Sequence, residues 1–228
     1  MNSIQIVVAG FNRCLSVTAP SIIENVVSPS KNAFSDTILT GVISRSRDQI
    51  DSSWSGESGF AEWEIPDELE FNSLVTYEQS QIDKEIDELL NWTKRTRSVQ
   101  EGVMEDVLTN WLRSLRLREC AHKELSPRAD YVLFIRPDLL FPSAIRFEKV
   151  LRAFDRAFNH DKSGVMTPNW GWQPNDKYAF MSSNVAQEYF MRLSKFPTFA
   201  ESDEEFSAEN FLRFCLAETP SAPTLAVR

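Results

Sequence analysis

"ADYVLFIRPDLLF", residues 129–141, is the stretch on which the fold turns. Tyr131 to Ile135 is a continuous apolar run without alternation, the pattern of a strand buried on both faces. It ends in Arg136-Pro137-Asp138, and a second apolar run follows at once. An arginine and a carboxylate desolvated at the end of a core strand are costly unless partnered. A structural ion pair to another segment answers that cost. So does a diphosphate site in which Asp138 holds Mg²⁺ or Mn²⁺ and Arg136 neutralises phosphate, since carboxylate oxygens suit those cations.

Other short apolar runs have the same character: Ile4–Ala9, Thr37–Ile43, Val165–Thr167 and Tyr178–Met181. Helical patterns lie between and after them. "SVTAPSIIENVV" offers Ser16 or Thr18 as a cap with Pro20 in its first turn. Residues 98–124 are the strongest helix, with Val99, Val103, Val107, Trp111 and Leu115 recurring every four positions. "SAIRFEKVLRAFDRAF" is expected to start at Ser143, "SSNVAQEYFMRL" at Ser182 or Ser183, and "SAENFLRFCLAE" at Ser207. Residues 44–73 are the least regular part, and a long loop in a compact domain is usually functional or mobile. Strands alternating with helices predict an α/β fold, with a mostly parallel sheet covered on both faces, in one domain over residues 1–228. Ligands of such sheets sit at the carboxyl ends of the strands, near the reversal of strand order.

The chain has 228 residues, 42% of them hydrophobic and 25% charged, the balance of a globular protein with a sizeable core. A net charge of −9 argues against general nucleic-acid binding, which needs a basic face. Residues 94–128 are nonetheless locally basic, as a solvated helix face or as the lining of an anion pocket. Cys14, Cys120 and Cys215 are odd in number and far apart, so neither a disulfide framework nor a zinc site is expected. The N-terminal apolar run is too short for a signal sequence or a membrane span, and a cytoplasmic location is expected.

Four stretches carry candidate chemistry. In "VVAGFNRCLSVTAPSI", Gly10 permits a tight turn, and Asn12 and Arg13 project at a strand end ahead of a helix N-terminus that favours anions. Arg136 and Asp138 form the second. In "MTPNWGWQPNDKYAF", Trp170 and Trp172 present flat faces beside Asn175 and Asp176, suited to the apolar face and hydroxyl rim of a sugar. Two tryptophans packing a loop on the core, with Asp176 capping a turn, explain the same residues. Glu209 stands in the first turn of the last helix, where an acid complements the helix dipole or serves as a base. Neither His122 nor His160 has a ligand-spaced partner.

Taken in order, these stretches resemble a family related to nucleotide-sugar glycosyltransferases of the GT-A fold. Its members show a first strand followed by an Arg and a "T..S…N" helix, a "YD.VIR.RPDL" strand end and a later "ND.FA.G" segment. The likeness spans roughly residues 4–43 and 97–216. It implies a Rossmann-like GT-A sheet and transfer of a sugar from a nucleoside diphosphate sugar to a glycan or other acceptor hydroxyl. By this resemblance "RPD" takes the place of the DxD motif, Asp138 serves the metal and diphosphate, and Arg13 contacts the nucleotide. Gly10, Asn12 and Arg136 complete the donor site. Asn175 and Asp176 contact donor sugar or acceptor, and for an inverting reaction Asp176 and then Glu209 are the expected bases. Arg136 stands where DxD has its first acid, leaving one fewer carboxylate for a cation, and Met181 stands where the family has Gly. A non-catalytic nucleotide- or sugar-binding module fits an incomplete DxD. An interaction protein using acidic residues 57–88 is the third reading.

Overall fold

The computed structural model describes residues 2–12, 14–45, 49–52, 57–60, 64–96, 103–158, 163–170, 173–217 and 219–224. The first strand, β1 (Ser3–Phe11), leads into α1 (Leu15–Ile22), a π turn over Ile23–Val27 and α2 (Ser28–Ala33). Next come β2 (Asp36–Arg45), a hairpin of β3 (Gln49–Ser52) and β4 (Glu57–Phe60), β5 (Ser73–Glu78), α3 (Gln79–Thr96) and α4 (Val103–His122). The second half runs β6 (Tyr131–Ile135), α5 (Phe147–Ala157), β7 (Val165–Trp170), β8 (Gln173–Pro174) and β9 (Tyr178–Ser182). It finishes with α6 (Ala186–Phe190), α7 (Phe196–Glu201), α8 (Ala208–Cys215) and β10 (Ser221–Thr224).

The main sheet has the order β10-β7-β9-β6-β1-β2-β5. Along this path only β9 runs against its neighbours, pairing antiparallel with both β6 and β7. The result is the expected α/β architecture, a mostly parallel, Rossmann-like sheet flanked by helices. Its first four main-sheet strands in chain order lie third-second-first-fourth, the order with which the doubly wound dinucleotide-binding sheet begins.

Period-two alternation explains why β1 and β6 look uniformly apolar. Ile4, Ile6 and Val8, with Tyr131, Leu133 and Ile135, face Leu15, Ile22, Val26, Phe147 and Phe154 of α1, the π turn and α5. Val7, Ala9, Val132 and Phe134 face the other way, onto Cys120 and Ala121 of α4, Tyr189 and Phe190 of α6, and Leu212 of α8. A third cluster, built on Leu108, Leu112, Phe196, Phe199 and Phe211, packs α3, α4, α7 and α8 together outside that layer. Among the described residues no helix is long and apolar enough to cross a membrane. Cys14, Cys120 and Cys215 are all thiols.

Several boundaries differ from the sequence expectation. Gly10 lies inside β1 rather than in a turn after it. α1 starts at Leu15 behind Cys14, with no side-chain cap. α5 starts at Phe147, so Ser143 does not cap it. Ser207 does cap α8, its Oγ accepting from Asn210 N at 3.2 Å. The part of the long helix expected at 98–102 lies outside the described residues. Part of the stretch expected to be irregular, 44–73, forms the β3–β4 hairpin.

Candidate functional site

Arg136 follows β6 and begins a tight turn. Leu139 N donates back to Arg136 O at 3.3 Å, with Pro137 at the second position, where its fixed φ suits such turns. Arg136 N also donates to Lys177 O, so the turn is tied to the entry of β9. The guanidinium grips Asp138 in a two-pronged fork, Nε to Oδ1 at 2.9 Å and Nη2 to Oδ2. Both side chains remain about one-third exposed, 36% and 32%. Burial works against the Arg136 charge, but its bonds to Asp138 outweigh that and hold the guanidinium above its ordinary range.

β1 outruns β6 by three residues and brings its own end against this turn. Gly10 has φ +153°, and a Cβ there would sit 2.8 Å from Pro137 Cδ. Only glycine permits both the backbone and the approach. Asn12 is buried, its N donating to Ser44 O and its Nδ2 lying 3.5 Å from Glu64 O. Its Oδ1 has no partner among the described residues. Arg13 lies outside the described residues.

The helix after β1 clamps the segment beyond the turn through one polar stripe. Thr18 Oγ1 donates to Pro137 O, Ser21 Oγ accepts from Phe141 N at 3.2 Å, and Asn25 Nδ2 donates to Phe141 O at 2.7 Å. Ile145 N then donates to Asn25 O at 2.8 Å. This is the structural content of the "T..S…N" pattern, since positions three and four apart share a helix face. The π turn contains Asn25, and such turns recur at functional sites.

At the start of β9 a second charged group is buried. Arg118 of α4 donates through Nη1 to Asp176 Oδ2 at 2.8 Å and through Nη2 to Asp176 O at 3.2 Å. Arg192 Nη2 lies 3.9 Å from the same Oδ2. Both arginines are only 1% exposed. Arg118 lies over the Phe134 ring at 4.9 Å and Arg192 over Tyr189 at 4.3 Å, which shelters their charges. Arg118 Nε and Arg192 Nη2 have no hydrogen-bond partner among the described residues. Burial alone would push the Asp176 carboxyl up, yet the charges of Arg118, Arg192 and Arg136 hold it below its ordinary value. A carboxylate so held is a poor proton acceptor at neutral pH. Its contacts tie it to Arg118 and Arg192.

Asn175 is buried, its Oδ1 accepting from Lys177 N at 2.8 Å and its N donating to Pro168 O at 2.7 Å. It therefore shapes the turn into β9. The backbone of Trp170 ends β7, while Trp172 lies outside the described residues. Glu209 is half-buried in the first turn of α8, which packs beside β8. Met181 lies in mid-strand, wholly buried between Val132 and Val165, and fills core.

The donor set does not fit a divalent cation. Both oxygens of Asp138 are taken by Arg136, and Asp176 faces two more arginines. Among the described residues no three His, Cys, Asp or Glu side chains converge on a point. Sequence reasoning gave Arg118 only as one of the basic residues of 94–128 and missed Arg192. The available signal was an arginine at a core-facing position of an amphipathic helix, three residues after Leu115. In the locally basic segment, Arg113 and Arg116 instead pair with Asp83 and Glu85 of α3.

No protein-family model and no curated protein matches the sequence. Among solved structures, mouse xyloside xylosyltransferase 1 is similar over 97% of this chain and 83% of its own, with 8% identity and a TM-score of 0.44. The 4-diphosphocytidyl-2C-methyl-D-erythritol synthase of Anaerococcus prevotii is similar over 98% and 88%, with 12% identity and a TM-score of 0.40.

Proposed function

We propose that the chain is a glycosyltransferase that moves a sugar from a nucleoside diphosphate sugar to an acceptor hydroxyl. The observation that carries this is the meeting of β1 and β6 at their carboxyl ends. There, Gly10 touches the Arg136–Asp138 turn beside a buried Asn12 whose Oδ1 has no partner among the described residues. Ligands of open α/β sheets bind at that rim. In this reading Asn12 and Arg13 meet the nucleoside, and Arg136 stabilises the diphosphate as charge develops on it. Asn175 and Asp176 hold the turn into β9, and Trp170 and Trp172 are the assigned partners of the sugar. Glu209 is the remaining candidate to deprotonate an acceptor. A bound Mg²⁺ or Mn²⁺ would supply further neutralisation of the diphosphate, but the arginine-rich donor set around Asp138 and Asp176 does not fit one.

One observation favours a non-catalytic sugar- or nucleotide-binding module. Both carboxylates at the rim, Asp138 and Asp176, are spent on arginines, and neither serves as a ready base. Incubating the protein with UDP-, GDP- and dTDP-sugars, with and without Mn²⁺, separates the readings. Release of free nucleoside diphosphate that is lost in Arg136→Gln supports the transferase. Tight binding without release, in the presence of varied hydroxyl acceptors, supports the module. Absence of any binding overturns both.

A further inference from the structure

We infer that the donor diphosphate is received by guanidinium groups without a divalent cation, and that Asp138 holds on Arg136 the place a phosphoryl group takes. The inference rests on the donor reading above and names how that site recognises its anion.

Three features carry it. First, the fork between Arg136 and Asp138 is the planar two-pronged geometry by which a guanidinium binds carboxylate or phosphate interchangeably. A neighbouring carboxylate in that position competes with an incoming phosphate; it does not coordinate a cation beside it. Second, the pair is about one-third exposed, so a ligand can reach it and displace Asp138 by a local side-chain rotation. Third, the background is positive. Arg136, Arg118 and Arg192 act together on Asp176, so among the described residues three guanidiniums face two carboxylates. Arg118 Nε and Arg192 Nη2 are buried and have no hydrogen-bond partner among the described residues. A diphosphate completes that balance. A divalent cation placed among three arginines adds repulsion, which is strong where solvent is excluded.

When the anion arrives, Arg136 exchanges one acidic partner for another, and no covalent bond changes. Arg118 and Arg192 stay fixed through Asp176 and supply the field behind the site.

Calorimetric titration of the full chain with UDP, GDP and dTDP, in EDTA and again in Mn²⁺, tests this. The expected result is binding in EDTA that Mn²⁺ alters by less than about threefold, and that Arg136→Gln weakens by about tenfold or more. Asp138→Asn should bind as tightly as the parent or more tightly in EDTA, because the internal competitor has lost its charge. This variant decides the matter alone if Arg136→Gln fails to fold. Binding that requires Mn²⁺ and disappears in Asp138→Asn overturns the inference and leaves the donor reading intact. Binding in EDTA that Arg136→Gln does not change also overturns it. No binding of any diphosphate in either condition overturns the donor reading and the inference together.

Discussion

An alanine at position 10 would have to hold a backbone angle that side chains disfavour while pressing its methyl into Pro137. Gly10→Ala is therefore expected to cost about 2–4 kcal/mol, read as a lower urea midpoint, and to shift the turn carrying Arg136. Asp176→Asn acts through charge instead. It leaves two buried guanidiniums without their carboxylate, a loss of about 3–5 kcal/mol at neutral pH. The sign with pH follows from the lowered value of this carboxyl. Its contribution is complete above the unfolded-chain value of about 3.9 and is lost as pH falls below that toward the folded value. Acid titration of stability should thus be steeper for the parent than for Asp176→Asn; equal slopes would remove the ion pair from the account. The thiols differ in burial. Cys14 is half-buried, whereas Cys215 is fully buried and its thiol is pushed up to about 11. Ellman's reagent should react with Cys14 first in the native protein, and with Cys215 only after unfolding.

Among the elements, two serines looked alike in sequence and behave differently. Ser207→Ala removes a bonded cap and should lower stability by about 1 kcal/mol. Ser143→Ala should fall within about 0.5 kcal/mol of the parent, because that residue is exposed and α5 begins further on. Thermal melts of both variants check the contrast. β1, β2, β6 and β9 were legible because burial on both faces leaves a run of apolar residues that nothing else explains. β5 was not, since "SLVTYE" is a half-buried edge strand within an acidic stretch. α3 was hidden by the same acids, although Ile82 and Ile86 form its buried stripe. β10 offers no hydrophobic pattern, and its pairing depends on the partner strand β7. Propensity is silent where the sheet itself supplies the reason for a strand.

For the molecule as a whole, the rim was legible from the sequence while its electrostatic wiring was not. Placing Arg136 and Asp138 at a strand end needed only the apolar run before them and the rule for open sheets. That they bind one another, and that Arg118 and Arg192 converge on Asp176, depends on contacts between residues up to 58 positions apart. Periodicity carries no record of such contacts.

The reversed course of β9 has a further effect on how this architecture can diversify. Because β9 enters the sheet opposite Ile135, the residues just before it, 175–177, open on the same rim as the ends of β1 and β6. Substitutions there can reshape what the rim accepts while the register of every ladder stays intact. Insertions into the connections at the opposite edge would leave ligand choice untouched.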